Sequence, residues 1–90
     1  MTSTVTFLAR LQAANRVQVP VEVRWRHRLE PGELLSVEVR TLEGFDRETF
    51  HVRLQDGWRF TVPNEVVEVL GLKQGEMLRV TLECEGEDLS

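Results

Sequence analysis

Residues 49–82 read TFHVRLQDGWRFTVPNEVVEVLGLKQGEMLRVTL, and residues 6–39 read TFLARLQAANRVQVPVEVRWRHRLEPGELLSVEV. Laid over each other at an offset of 43 residues, without a gap, the segments agree at 15 of 34 positions. Chance would match about two. Shared pairs include Phe7/Phe50, Arg10/Arg53, Leu11/Leu54, Gln12/Gln55, Arg16/Arg59, Val19/Val62, Pro20/Pro63, Gly32/Gly75 and Val37/Val80. The chain is therefore a duplicated unit: repeat 1 at 5–40, repeat 2 at 48–83, and an acidic tail at 84–90. A chain of 90 residues has room for one domain. A unit of this size cannot bury a core of its own, so the copies are expected to share one core as an intrachain pseudo-dimer within a single domain spanning 1–90.

Each unit spells the same order of elements. Val5, Phe7, Ala9 and Leu11 alternate with polar or outward positions, the period of a half-buried strand. Ala13–Asn15 break it as a turn, and Val17 and Val19 resume it, so the unit opens with a hairpin. Pro20 suits the first turn of a helix, because its missing N–H is no loss there, and Val21–Arg28 reads as a helix of about two turns. Gly32 sits in a turn, and Leu35, Val37 and Val39 alternate as a third strand. Repeat 2 runs the programme again, with Asp56–Gly57 as its hairpin turn, a helix from Pro63 to Leu70 and Gly71 as its stop. The expected core is Phe7, Leu11, Val19, Leu35 and Val37 with Phe50, Leu54, Val62, Leu78 and Val80. Strand–strand–helix–strand twice over predicts a mainly β fold with two short α-helices, its units interleaved into a barrel that hides its strand edges.

The net charge of −4 is unevenly spread: residues 1–43 carry a balance of +1 and residues 44–90 a balance of −5. That total argues against a non-specific basic coat on DNA and leaves a local basic face open. The single cysteine, Cys84, excludes an intrachain disulfide. No charge-free apolar run suggests a signal peptide or a membrane span, so the expected setting is cytoplasmic, with no membrane partner. His27 and His51 have no metal-ligand companions at repeating spacing, and no nucleophile with an activating base or phosphate-cradling loop is visible. The chain is expected not to be an enzyme, and to need no cofactor, metal or small-molecule substrate.

Asn15–Arg24, reading NRVQVPVEVR, and Trp58–Val67, reading WRFTVPNEVV, resemble the core motif of the SpoVT-AbrB superfamily. That motif is a Gly-Arg pair, an alternating aliphatic run into proline, and a glutamate two residues on. It continues as Leu-Gly-aliphatic and Gly-acidic, which Leu70–Gly71–Leu72–Lys73–Gln74–Gly75–Glu76 matches nearly letter for letter. Two such units in one chain resemble MraZ proteins and fused archaeal relatives. The resemblance implies a swapped-hairpin AbrB-like β-barrel and binding of double-stranded DNA in transcription regulation or nucleoid organisation. It also implies that arginines of the hairpins and of the helix meet phosphates and groove edges: Arg10, Arg16, Arg24, Arg53 and Arg59 by position, with Arg26 beside them. The sequence departs from the motif where its glycine is Asn15 or Trp58, and where Val67 and Glu68 replace basic residues.

The residues themselves leave alternatives open. Arg10, Arg16, Arg53 and Arg59 share an outward strand parity with Gln12, Gln18 and Gln55, a set suited to phosphates and base edges. The same set also suits a solvated face laced with ion pairs. The run Arg24–Trp25–Arg26–His27–Arg28 has an apolar and acidic counterpart in repeat 2. It can lie on phosphates, pack Trp25 on Leu29, or dock through Trp25 and Arg28 on an acidic protein surface, another copy included. The leading expectation is a DNA-binding regulator. The alternatives are a protein-interaction or oligomerisation scaffold on the same barrel, and then an antitoxin-type regulator.

Overall fold

The computed structural model describes residues 2–85; of the tail expected at 84–90, Cys84 and Glu85 belong to the last strand and the rest lies outside the described residues. The strands are β1 (Thr2–Arg10), β2 (Arg16–Gln18), β3 (Leu34–Thr41), β4 (Arg47–Arg53), β5 (Arg59–Thr61) and β6 (Met77–Glu85). The helices are α1 (Val21–Arg26) and α2 (Asn64–Leu70). The long strands form an antiparallel sheet in the order β1-β6-β3-β4, and β2 pairs with β5 across the core. Single bridges, Gln12 to Arg16 and Gln55 to Arg59, join the two sheets at their corners and complete the ring. The fold is mainly β with two short helices.

Strand pairing ties the two repeats together. β1 and β2 of repeat 1 ladder with β6 and β5 of repeat 2, and β4 ladders with β3. Each hairpin is swapped into the other unit. The registers are symmetric about Val17↔Phe60 and Glu38↔Thr81, pairs that lie 43 residues apart in sequence, so a pseudo-twofold axis passes through both. Turn contacts obey it too: Leu11 N–H donates to the Glu76 carbonyl at 3.0 Å, and Leu54 N–H to the Glu33 carbonyl at 2.8 Å.

Alternation along the strands delivers one shared core. Leu11, Val17, Val19, Leu35, Val37 and Val39 from repeat 1 meet Phe50, Leu54, Phe60, Val62, Leu78, Val80 and Leu82 from repeat 2, all buried. Phe7, expected in the core, is only half-buried, whereas its counterpart Phe50 is buried. The cause is in the helices. Val66 of α2 is buried against the core, but its equivalent Val23 of α1 is half-buried. A groove remains between Val5–Phe7 and the α1 segment Glu22–His27. The repeat 1 helix also ends sooner than expected, at Arg26, while the outer strands run on to Thr2 and Glu85. No helix among the described residues is long and apolar enough to cross a membrane.

Four positive-φ backbone positions recur in both units, and at two of them only repeat 2 uses glycine. Helix α2 ends on Gly71 at φ 66°, and the turn after α1 holds its counterpart Arg28 at φ 53°. In both, the next residue closes the end: Leu72 N–H donates to the Val67 carbonyl and Leu29 N–H to the Arg24 carbonyl, each at 3.0 Å. At the hairpins, Gly57 (φ 82°) is matched by Ala14 (φ 62°). A side chain in this region costs about 1–2 kcal/mol, partly offset by the greater freedom glycine loses on folding. Ala14→Gly and Arg28→Gly should therefore each stabilise by about 1 kcal/mol, read as a rise of about 4–8 °C in melting temperature.

Candidate nucleic-acid interface

The ladder on the pseudo-twofold axis carries the first part of the site. Val17 and Phe60 point inward, so Arg16, Gln18, Arg59 and Thr61 point out. Arg16 lies opposite Thr61, and Arg59 opposite Gln18. The two arginines are thus diagonal neighbours about the axis, on the order of 7–8 Å apart at the backbone. Neither has a side-chain hydrogen bond or ion pair among the described residues. Gln18 does have one: its Nε2 donates to the Gly57 carbonyl at 2.6 Å and to the Trp58 carbonyl at 3.3 Å, which fixes the neighbouring turn.

Trp58 supplies the second part. It takes the position of the motif's glycine and adopts φ 57°, unusual for a bulky residue. Several contacts hold it there. Its indole Nε1 donates to the Leu29 carbonyl at 2.9 Å, and its own carbonyl accepts from Val19 N–H at 2.9 Å. Arg24 lies over the ring with its guanidinium carbon 4.3 Å from the centroid, a cation–π contact that keeps the charge while fixing its place. Repeat 2 thereby brings an aromatic seat to the repeat 1 helix, and Arg24 stands beside the turn that leads into Arg59. On the other side of the axis the equivalent pair is Val67 and Asn15, and Asn15 Nδ2 donates to Asn64 Oδ1 at 3.2 Å instead. Arg16 and Arg59 stand on either side of the axis, and the Arg24–Trp58 seat on one side only.

The other expected contacts fall elsewhere. Arg10 Nη1 donates to the Gly75 carbonyl at 2.8 Å, and Arg53 Nη1 to the Gly32 carbonyl at 2.9 Å. Both arginines fasten the third-strand turn of the opposite repeat, which gives the framework a reason to keep them in both units. Arg26 lines the groove against Val5–Phe7, not the axial ladder. Trp25 does not pack on Leu29: Leu29 is buried, while Trp25 is 75% exposed on α1, one turn from the exposed Val21. Arg28 is exposed in the turn that follows the same helix. Of the expected lacing, none of Arg10, Arg16, Arg53 and Arg59 forms an ion pair among the described residues; Arg47 Nε meets Glu38 Oε2 at 3.3 Å on the far sheet.

The sequence missed Trp58 as a site residue. Its place in the motif's glycine position looked like a loss, and only the fold shows the α1 arginine seated on it.

No protein-family model matches this chain, and no curated protein matches it. Among solved structures it is similar to the solution structure of PHS018 from Pyrococcus horikoshii, with a TM-score of 0.80 and 22% identity. The match covers 92% of this chain and 95% of that one. At this identity the likeness concerns the fold alone.

Proposed function

We propose that this chain is an AbrB-like DNA-binding protein of the SpoVT-AbrB type, acting in the cytoplasm as a transcriptional regulator or nucleoid-associated factor. The observation that supports it best is the pair Arg16 and Arg59, outward and without a side-chain partner among the described residues, beside an Arg24 held on Trp58. Arg24, held on the Trp58 ring, has less side-chain freedom to lose on meeting a phosphate, and the outward forks of Arg16 and Arg59 match phosphate geometry. Titration of mixed-sequence duplex against salt tests it. Contacts from Arg16, Arg24 and Arg59 should give a slope of log affinity against log salt of about −3, at roughly −0.9 per phosphate. No binding near about 50 mM salt would end this reading.

The scaffold reading keeps one supporting observation, the exposed Trp25 with Val21 on the same helix and Arg28 in the turn that follows it. Under it, Trp25→Ala would remove a concentration-dependent association in sedimentation and leave duplex binding untouched.

A further inference from the structure

The outer face of the four-stranded sheet carries a feature that the axial ladder does not explain. Across it, Arg79 of β6 lies opposite Arg40 of β3, and Arg40 lies opposite Arg47 of β4. All three point away from the core: Val39, Leu78 and Val80 beside Arg40 and Arg79 are buried, and Arg47 is exposed at the parity opposite to the buried Phe50. Strands are about 4.8 Å apart, so three guanidinium stems stand in a row about 10 Å long. Like charges directly opposite each other destabilise a sheet. Glu38 lies on the same face, two residues from Arg40 and diagonal to both Arg47 and Arg79, and makes an ion pair with Arg47 at 3.3 Å. Arg40 and Arg79 make none among the described residues, so one carboxylate stands against three arginines.

The framework does not require this row. Under the 43-residue offset Arg79, Arg40 and Arg47 correspond to Ser36, Glu83 and Thr4, which occupy the symmetric end of the same face. Arg10/Arg53, by contrast, recur in both repeats and make the same turn contact in each. An arginine row that costs stability, and that one repeat does without, calls for an anion to compensate it. Evenly spaced cations in a line suit evenly spaced anions, which a nucleic-acid backbone supplies continuously.

The core separates this face from the β2–β5 ladder. We propose that the Arg79–Arg40–Arg47 row holds the phosphate backbone of a second duplex, so that one chain joins two DNA segments. This rests on the reading that Arg16, Arg24 and Arg59 hold the first.

The test uses an immobilised duplex, a fluorescent duplex in solution and the full chain at about 100 mM salt, with R79S/R47T and R16A/R59A as variants. Ser and Thr are the residues the other repeat carries at those places, so the fold should survive, with a melting temperature unchanged or higher. The wild type should capture the fluorescent duplex. R79S/R47T should bind the immobilised duplex as before and capture the second about tenfold less or worse. Equal capture by R79S/R47T and wild type overturns the row as a site and points to bridging through self-association. A wild type that binds one duplex without capturing another also overturns it, and leaves the proposed function standing. Duplex binding that survives R16A/R59A and disappears in R79S/R47T overturns the two-faced arrangement and moves the DNA site to the row. A wild type that binds no duplex sinks both.

Discussion

Phe60→Ala is expected to cost about 3–5 kcal/mol, a large share of the roughly 5–15 kcal/mol that stabilises a small domain. Phe60 is fully buried, lies on the pseudo-twofold axis opposite Val17, and meets Phe50 with ring centroids 6.3 Å apart at 54°. Its removal opens a cavity where the two repeats meet, and strands on both sides are held by ladders that cannot close in to fill it. Phe60→Val, the residue repeat 1 uses at this place, should cost less because it keeps part of the volume. Urea unfolding measures both: the midpoint should fall with an unchanged slope.

The double substitution Arg16→Ala, Arg59→Ala is expected to weaken duplex binding roughly fifty-fold near 100 mM salt and to flatten the salt slope by about two units. Both side chains point outward and neither has a side-chain hydrogen bond or ion pair among the described residues, so the melting temperature should hold. Arg10→Ala makes an informative contrast. Its guanidinium holds the Gly75 carbonyl, so its loss should register as stability before it registers as affinity. A double variant that binds DNA with the wild-type slope would rule out the axial ladder as the contact surface.

Much of the fold is legible in the sequence because a duplicated pattern states its periods twice. Alternation at Val17/Val19 and Phe60/Val62 places the inner face, and the prolines and glycines mark where strands give way to helices and turns. Pairing is another matter. Nothing in the alternation distinguishes β1 against β6 from β1 against its own repeat, since both choices bury the same side chains; register across repeats is settled by the packed core. The arginine row depends on that register, because Arg40 and Arg79 are remote in sequence and become neighbours only through β3–β6 pairing. The half-exposed Phe7 escaped for a related reason. Its strand pattern is that of Phe50, and the difference arises in the helix beside it, where Val23 covers less than Val66. Within the candidate site, outward parity was readable for Arg16 and Arg59. The anchoring of Arg10 and Arg53 on turn carbonyls was not, because those carbonyls belong to the other repeat.

The shared, interleaved core is the claim on which the interface and the second face both rest. Cutting the connector between Gly44 and Phe45 and producing the two halves separately tests it most directly. The first half keeps β1, β2 and β3 but loses the β6, β5 and β4 they ladder with. Each half by itself should therefore show no cooperative melting as a monomer, with molecular mass checked by sedimentation. An equimolar mixture should recover a single cooperative transition as the hairpins exchange. A first half that folds cooperatively as a monomer, at any concentration, would contradict the shared core.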